Sequence, residues 1–446
     1  MSDLEKIFKA YDIRGVYPSD LDEEAAGRIG AAFVRFTGSD RIVLGRDMRV
    51  SSPALAAAFA QGAVAAGATV VDVGEVSTDA LYFASGSLAM PGAMFTASHN
   101  PGRYNGIKMC REKAAPIGEE SGLLDIKQLA DKNEKPSVPE GRVEERDVLA
   151  DYAHHCKSLI DVSHLRPLKV AIDAGNGMAG KTVPIVFEDL PFEIVPLFFE
   201  LDGTFPNHPA NPIEAENLVD LQRVITANGC DVGIAFDGDA DRMFLVDETT
   251  RLVSGSLTTA LVADRLLKKH PGETVIHNLI CSWTVPEVVR ENGGTPVRTR
   301  VGHSFIKQVM AETGAIFGGE HSGHYYFRDN FRADSGMIAA LIVLEAMCEA
   351  NAPLSELLQS FRRYHDSGEI NSEVADQQAK IEELAAAYKD GKQDREDGLT
   401  VEFDDWWFNC RPSNTEPLLR LNLEARTPHL RDEKVAEVLS VIRGGA

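Results

Sequence analysis

The stretch Thr96-Ala97-Ser98-His99-Asn100-Pro101 follows the apolar residues Ala93-Met94-Phe95, which are typical of the end of a buried strand. Pro101 has no backbone N–H and disfavours helical angles at Asn100, and Gly102 comes next, so the pattern predicts a turn after the strand. A serine on such a turn is exposed and lies beside an imidazole, as a nucleophile or a phosphate carrier requires. An ordinary Ser/Asn-rich turn has the same pattern, so both interpretations stay open from these residues alone.

The strand before Ser98 is the third in an alternation of strands and helices that the sequence predicts three times. The predicted strands lie at residues 42–44, 68–73 and 93–95, then 170–172, 194–195 and 232–236, and then 275–276, 297 and 315–317. In each copy the third strand leads into a polar, glycine-containing loop, at 96–102, 237–242 and 318–324. Because ligands bind at the carboxyl ends of strands in α/β units, three copies around one cleft would bring the loops together.

The sequence changes in character near residue 366. A charged, helix-forming stretch at 373–394 precedes strand-like segments at 399–403, 407–410 and 418–423 and a closing helix. The predicted fold class is therefore α/β, with three similar α/β domains containing mixed sheets and a smaller C-terminal α+β domain around a central cleft. The predicted domains are residues 1–150, 151–252, 253–365 and 366–446. At a finer level we expect a helix over 23–36 and another that begins at Ser51 or Ser52, capped by serine and followed by Pro53.

Composition narrows the class of protein. A length of 446 residues fits several domains, and a net charge of −23 argues against nucleic acid or an anionic membrane as a partner. Any phosphate site must then gather its arginines and lysines locally. The six cysteines form no CxxC pair, which favours a reducing compartment over a disulfide framework or a zinc cluster. Residues 1–5 lack the apolar core of a signal peptide, and the longest apolar run is short, so we expect a cytoplasmic protein.

Three carboxylates alternate along the second loop, at Asp237, Asp239 and Asp241. Hard divalent cations prefer oxygen ligands, and Mg²⁺ combines a few carboxylates with a phosphate oxygen. The same spacing opens an EF-hand loop, but Arg242 stands where that loop needs glycine and a strand precedes it. The remaining alternative is a plain acidic turn.

Two further polar loops could bind a sugar phosphate. Glu320 and Ser322, two residues apart, could both face the hydroxyl groups of a sugar, although a polar turn has the same pattern. The spacing of His321 and His324 without further ligands is weak evidence for zinc. The last loop combines guanidinium groups and short polar side chains that match phosphate geometry, with a solvated turn as the alternative; its residues are Arg411, Ser413, Asn414, Thr415 and Arg420.

Together with Tyr104-Asn105-Gly106-Ile107-Lys108, the Ser98 stretch resembles the phosphoserine loop of the α-D-phosphohexomutases. The other three loops match that family's motifs in the same order, so the resemblance covers the whole chain. It implies that Ser98 carries a phosphoryl group and binds Mg²⁺ together with the three aspartates, with Arg242 in the cleft. It also implies that Glu320 and Ser322 bind the sugar 3- and 4-hydroxyls and that the Arg411–Arg420 loop holds the phosphate that is not transferred.

Several single residues match family positions. Arg14 and Lys108 flank the serine loop and could stabilise charge or move protons, or could be surface cations. His324 is a candidate general acid or base, and His303 matches a position that contacts ligand. One departure is the apolar Ile280, where several relatives carry a basic residue. The stretch Asp173-Ala174-Gly175-Asn176-Gly177 could pass for a phosphate loop, but we interpret it as structural.

The implied reaction is the reversible exchange of a hexose 6-phosphate and a hexose 1-phosphate, with a hexose 1,6-bisphosphate as intermediate and activator. The resemblance is strongest to the mannose-phosphate branch, and glucose phosphates, or both sugars, remain the alternative because mannose and glucose differ at C2. Other classes also stay open. A metal-assisted phosphatase would pass the phosphoryl group to water, and a non-catalytic sugar-phosphate-binding protein would need no Ser98.

Overall fold

A computed structural model describes residues 4–134, 138–413 and 418–444. The helices are α1 (Glu23–Thr37), α2 (Ser52–Ala65), α3 (Thr78–Leu88), α4 (Leu123–Lys132), α5 (Leu149–Ser158), α6 (Ala179–Val186), α7 (Val219–Asn228), α8 (Gly255–Lys269), α9 (Thr284–Glu291), α10 (His303–Thr313), α11 (Gly336–Ala350), α12 (Leu354–Leu357), α13 (Gln377–Ala387) and α14 (Pro428–Arg443). The strands are β1 (Ile13–Val16), β2 (Arg41–Arg46), β3 (Thr69–Glu75), β4 (Gly92–Phe95), β5 (Tyr104–Arg111), β6 (Ala115–Pro116), β7 (Arg142–Glu145), β8 (Leu168–Asp173), β9 (Phe192–Leu197), β10 (Val232–Phe236), β11 (Met243–Asp247), β12 (Leu252–Val253), β13 (Thr274–Asn278), β14 (Thr295–Thr299), β15 (Phe317–Gly319), β16 (Tyr325–Phe327), β17 (His365–Glu373), β18 (Lys392–Asp394), β19 (Leu399–Glu402), β20 (Trp406–Pro412) and β21 (Leu418–Ala425).

The first three sheets share one strand order, as the predicted repeat requires. When the four strands of each unit are numbered along the chain, they lie side by side in the order second, first, third, fourth, and the fourth strand is antiparallel to the third. The three orders are β3-β2-β4-β5, β9-β8-β10-β11 and β14-β13-β15-β16. The first three strands of each unit are mutually parallel. The polar loops therefore connect the third strand to the antiparallel fourth strand, and all three begin at the carboxyl end of a parallel strand.

The fourth sheet, β17-β21-β20-β19-β18, is antiparallel throughout. Its strands and the helices α13 and α14 enclose a hydrophobic core of their own, whereas the largest core cluster joins residues of the first three sheets. The predicted fold class, three α/β domains with mixed sheets and a smaller C-terminal domain, is confirmed.

The predicted starts of two helices agree with the structure, whereas two other local predictions need correction. The helix α1 begins after Asp22, whose side chain accepts from Ala25 N, in agreement with the sequence. The helix α2 begins at Ser52 with Pro53 in its first turn, as predicted, but Ser51 at the N-cap position makes no capping hydrogen bond, and its hydroxyl accepts from Asn105 Nδ2 at 2.8 Å. The segment at 373–394 is also not one helix: β17 extends to Glu373, α13 covers only the middle, and β18 ends it. Cross-strand pairing in the fourth sheet outweighs helix propensity there.

The apolar segment at 337–344 lies in α11, which is buried along nearly all its length and packs against α5, α8 and β11. Within the described residues, no helix alone has the length and apolar character needed to cross a membrane. One pair of helical segments, Gly336–Ala350 and Leu354–Phe361, passes the length and composition test together but is bent by 91°. All six cysteines are free and buried.

Candidate active site

Ser98 lies directly after β4 in a tightly held loop. Its φ is +48°, in the left-handed region, and its own N–H donates to Thr96 Oγ1 at 2.9 Å. The hydroxyl donates to Asp237 Oδ2 at 2.6 Å and lies 3.3 Å from His99 Nδ1. Only 5% of the residue is exposed, so Ser98 is buried and the exposed position expected from the turn is wrong.

Arg49, which sequence reasoning missed, fixes the shape of this loop. The side chain is fully buried, and its two Nη atoms donate to four carbonyl oxygens, of Ser98, Asn100, Pro101 and Tyr104, at 2.7–3.0 Å. Nε donates to Asp47 Oδ2 at 3.1 Å. A guanidinium with four carbonyl partners holds the backbone on both sides of Pro101, and the strain of a positive φ at Ser98 persists because the surroundings enforce it. The available signal was the pair Asp47 and Arg49 directly after β2.

The three aspartates of the second loop face Ser98 and Lys108. Lys108, on β5, donates to Asp239 Oδ2 at 2.7 Å and to Asp241 Oδ2 at 2.6 Å. Thr78 Oγ1, at the start of α3, also donates to Asp239 Oδ2, at 2.6 Å. The first and second sheets are thus joined at this point by charged and polar side chains that are all at most 8% exposed.

The aspartates have unequal proton affinities because they share a dry site. Burial raises the pKa of Asp237 to about 7, although Arg242 partly offsets this effect. Burial also opposes the charge on Asp239, but the Lys108 ammonium outweighs it and lowers the pKa of Asp239. The pKa of Asp241 is raised by burial and by the adjacent Asp239. The three carboxylates therefore do not ionise equally, and Asp239 holds its negative charge most readily.

This loop fits a divalent cation. The three aspartates each bring a carboxylate oxygen to within 4.8 Å of the others. Within the described residues, Asp239 Oδ1 and Asp241 Oδ1 are buried without a hydrogen-bond partner. Buried oxygens without a donor are costly unless a ligand satisfies them, and an all-oxygen set suits Mg²⁺.

Two arginines that were predicted as site residues, Arg14 and Arg242, contact the serine loop. Arg14 donates to the Ala97 carbonyl at 2.9 Å and also hydrogen-bonds Asn100 and Asp12. Arg242 donates from Nε to Asp237 Oδ2 at 2.9 Å, and its Nη2 lies 3.5 Å from Ser98 Oγ. Neither arginine is a surface cation, since each has less than a fifth of its side chain exposed.

The third loop presents Glu320, Ser322 and His324. Glu320 accepts from Tyr326 OH at 2.7 Å and from Gly302 N at 3.2 Å, so its carboxylate is fixed in direction. His324 Nδ1 lies 3.1 Å from Ser322 Oγ and 3.6 Å from Glu320 Oε2, while its Nε2 lies 3.7 Å from Asp241 Oδ1. The imidazole therefore joins the third loop to the acidic loop. His321 is not part of this contact; its Nδ1 lies 3.2 Å from Ser256 Oγ.

The C-terminal sheet contributes Arg411 on β20 and Arg420 on β21, which are directly opposite each other. Arg420 Nη2 lies 3.5 Å from Ser413 Oγ. Both arginines also bond Glu369, at 2.9 and 3.1 Å. Asn414 and Thr415 lie outside the described residues, as does the side chain of His303, whose backbone begins α10.

Residues of the first, third and fourth domains, among them Tyr11, Ser304 and Asp397, line one cavity. Burial, followed by the charges of Asp397 and Glu320, raises the pKa of Tyr11, and the charges of Arg300 and Arg411 oppose this. The Tyr11 phenol is therefore influenced by the charges of Glu320 in the third loop and of Arg411 in the C-terminal sheet. Ile280 is 7% exposed and lines a separate cavity with His321 and Asn422.

Glycines allow the loops to approach one another closely. A Cβ on Gly238 would lie 2.5 Å from the Ser98 carbonyl oxygen, and one on Gly177 would lie 2.6 Å from the Gly238 carbonyl oxygen. Met178 N also donates to the Gly238 carbonyl, at 2.9 Å. The glycine stretch at 173–177 thus supports the acidic loop from behind, which agrees with its interpretation as structural.

Four family models match the chain in series. They describe the phosphoglucomutase/phosphomannomutase alpha/beta/alpha domain I over residues 5–137, domain II over 150–250 and domain III over 254–364, and the C-terminal domain over 369–440. Together they account for more than half of the residues.

Relatives match over nearly the whole length. The chain is 41% identical over 443 residues to a protein named "Phosphohexose mutases" from Xanthomonas campestris pv. campestris, covering 98% of this chain and 99% of that one. It is 42% identical over 431 residues to the phosphomannomutase of Escherichia coli K12, covering 94% of each. A crystal structure of a phosphoglucomutase/phosphomannomutase family protein from Burkholderia thailandensis matches with a TM-score of 0.91 and 34% identity, covering 100% of this chain and 99% of that one.

Proposed function

The chain belongs to the phosphoglucomutase/phosphomannomutase family, and from this premise we propose that it is a phosphomannomutase that interconverts mannose 6-phosphate and mannose 1-phosphate. The observation that carries the proposal is the contact of Ser98 Oγ with Asp237 at 2.6 Å, inside a cluster of three aspartates, Lys108 and Arg242. A hydroxyl in that setting can carry a phosphoryl group whose charge is offset on several sides.

In the proposed reaction, phospho-Ser98 donates its phosphoryl group to a sugar hydroxyl. The sugar oxygen forms a bond to phosphorus while the bond to Ser98 Oγ breaks. The hydroxyl proton leaves the attacking oxygen, and Oγ takes up a proton, so that the serine hydroxyl is regenerated. The hexose 1,6-bisphosphate that results then returns its other phosphate to Ser98 by the reverse of these bond changes, and the product is the isomeric monophosphate.

Named side chains have distinct proposed roles. Asp237, Asp239, Asp241 and a phosphate oxygen on Ser98 would hold Mg²⁺, which when bound withdraws charge from the phosphoryl oxygens. Lys108 offsets two of the carboxylates, and Arg242 lies close enough to reach an oxygen on phospho-Ser98. Arg14 fixes the serine loop through Ala97. His324, between Asp241 and Glu320, would accept the proton of the sugar hydroxyl.

The remaining residues would position the sugar. Glu320 and Ser322 would accept or donate to the 3- and 4-hydroxyls, and the loop of Arg411, Ser413 and Arg420 would hold the phosphate that is not transferred. Asn414, Thr415 and His303 are proposed for the same task from the sequence. Since these proposed contacts involve neither the C2 hydroxyl nor one particular phosphate, they would serve both orientations of the intermediate.

The test is ³¹P NMR of the purified protein with Mg²⁺ and a trace of hexose 1,6-bisphosphate. Mannose 1-phosphate and glucose 1-phosphate are offered separately, and Ser98→Ala serves as the control. We expect conversion to the 6-phosphate that is lost in the variant and in excess EDTA, faster for mannose. A faster glucose reaction would make the protein a phosphoglucomutase, and release of inorganic phosphate would make it a phosphatase. Binding that survives Ser98→Ala, with no turnover in either protein, would leave a binding protein only.

A further inference from the structure

A carboxylate joins the two arginines of the proposed phosphate site. Glu369 accepts from Arg411 Nη2 at 2.9 Å through Oε2 and from Arg420 Nη1 at 3.1 Å through Oε1. Each carboxylate oxygen therefore serves one guanidinium group. In the described part of the chain, neither arginine has an ion pair with any other acidic residue.

The local structure explains why a carboxylate is present at this position. Arg411 and Arg420 are directly opposite each other on neighbouring strands, where like charges repel. On the other side of Arg420, the register of β17 against β21 shifts between Asp366 and Glu369, and Gly368 within this irregularity has a φ of +64°. The shift sets the position of Glu369 on its strand, and its side chain reaches both arginines.

Counting only partners among the described residues, both arginines keep further N–H donors available, although Arg420 Nη2 also lies 3.5 Å from Ser413 Oγ. A guanidinium group has five N–H donors, and Glu369 uses one Nη on each side chain. The Nε atoms of Arg411 and Arg420 are buried without a hydrogen-bond partner among the described residues. Since 15% of the Arg411 side chain and 32% of the Arg420 side chain are exposed, solvent and small anions reach the pair.

We propose that Glu369 is a positioning residue that orients the two guanidinium groups and limits how tightly they hold a sugar phosphate. The inference rests on the proposed function, because the bisphosphate intermediate must leave the arginines, turn, and present its other phosphate. The carboxylate offsets one of the two positive charges that the phosphate meets. An uncompensated pair would bind the phosphate more tightly in the substrate, intermediate and transition states alike, which does not raise kcat. It would also slow the release of the phosphate that the intermediate needs in order to turn.

Equilibrium binding separates this role from catalysis. Mannose 6-phosphate is titrated by calorimetry into Ser98→Ala and into Ser98→Ala combined with Glu369→Gln, so that no turnover occurs. We expect Kd to fall on the order of three- to tenfold in the double variant, because one partly exposed charge has been removed. The gain should shrink as KCl is added, since salt screens exposed charges.

Turnover provides the second readout. In the Ser98 protein, Glu369→Gln should lower KM for mannose 1-phosphate by a similar factor and also lower kcat, because the intermediate reorients more slowly. Glu369→Asp, which keeps the charge, should restore both constants toward those of the unaltered protein. Glu383→Gln removes a carboxylate from a surface pair with Lys380 in the same domain and should change neither constant.

Different failures are distinguishable. If the unaltered protein shows no mutase activity with either sugar, the proposed function is wrong, whatever the variants do. If it is active but Kd for Glu369→Gln is unchanged or higher, with the thermal unfolding temperature preserved, the limiting role of Glu369 is wrong. If Glu369→Gln unfolds at a lower temperature, Kd is measured well below that temperature, and a Kd no lower than that of Ser98→Ala alone overturns the limiting role of Glu369 in the same way.

Discussion

The two ends of the proposed site are built differently. At the transfer end, Ser98 and the acidic loop are almost completely buried, and their contacts connect three sheets. At the phosphate-holding end, Arg411, Arg420 and Glu369 are partly exposed, and their described contacts lie within the C-terminal sheet. The first arrangement fixes charges before a substrate arrives, so no reorganisation is needed during reaction. The second can accept and release two different phosphates in turn.

The largest expected effect is the loss of the phosphate carrier. Ser98→Ala should lower kcat by roughly 10³-fold or more, because no other group takes over a covalent step. Intact-mass spectrometry should show the phosphoryl group on the unaltered protein and its absence from the variant. Ser440→Ala, at an exposed serine in α14, is the control. If Ser98→Ala kept its activity, Ser98 would not carry the phosphoryl group, and the contrast between the two ends of the site would no longer hold.

A smaller loss of activity should follow when the Ser98 loop and the acidic loop are forced apart. In Gly238→Ala the added methyl would lie 2.5 Å from the Ser98 carbonyl, so one loop must shift. We expect kcat to fall by about 10²-fold and the free energy of unfolding to fall by about 1–3 kcal/mol.

Gly27→Ala is the matched control, since its new methyl meets only the Ala58 carbonyl, at 3.4 Å. Activity assays and urea unfolding of both variants check the prediction. Unchanged kcat in Gly238→Ala would show that the transfer end is less rigid than the contacts indicate.

At the phosphate-holding end, the same kind of experiment should change binding rather than the chemical step. Arg420→Lys keeps the charge but loses the forked donor geometry, so KM should rise about tenfold with a smaller change in kcat. The thermal unfolding temperature should stay within about 3 °C, because exposed ion pairs contribute little stability. Arg395→Lys, in an exposed pair with Glu382, is the control. A drop mainly in kcat would contradict the contrast between the two ends.

The smallest expected effect concerns a carboxylate beneath the transfer end. Asp79 is buried and accepts from Tyr152 and Ser335 at 2.6 Å, which joins α3 to α5 and α11. Burial raises the pKa of Asp79 to about 6, above its value in the unfolded chain. The folded state therefore binds this proton more tightly. The resulting stabilisation is complete below about pH 4 and is lost as the pH rises through 6.

This group should contribute on the order of 2–3 kcal/mol to the difference in unfolding free energy between pH 4 and pH 7. Urea unfolding at several pH values in that range should give an unfolding free energy that decreases as the pH rises. This decrease should be smaller in Asp79→Asn and unchanged in Asp40→Asn, whose site is exposed. The same decrease in all three proteins would show that burial of Asp79 does not set its protonation.

Much of the architecture could be predicted because the strands of an α/β unit are short apolar segments bounded by clear turn residues. The three copies of the unit and the strand before each loop were predicted in the correct order. The capping role of Ser51 was wrong because a partner distant in sequence, Asn105, takes up its hydroxyl. The helix expected across 373–394 was too long, since charged residues with high helix propensity there belong to paired strands.

The residues of the proposed site also divide into those that a local sequence pattern identifies and those that only the fold brings together. Motif residues could be identified because each sits in a distinctive local pattern. Thr78 and Glu369 could not, because each has an unremarkable neighbourhood in sequence and acquires its partners only on folding. The pair Asp47 and Arg49 was a local signal, but it did not indicate which carbonyl groups Arg49 contacts. Arg49 meets carbonyls about fifty residues away, Thr78 meets Asp239, and Glu369 lies between two arginines on other strands.

The sequence alone determined which chemistry the chain carries: a serine on a turn, alternating carboxylates, a polar sugar loop and an arginine loop, in one order. These are properties of residue type and spacing, which local physical chemistry can interpret. Only the tertiary structure decided how the groups meet, with Lys108 against two aspartates, His324 between two loops and Glu369 across two arginines. Such contacts depend on strand register and on the packing of separate sheets, which are set by the chain as a whole.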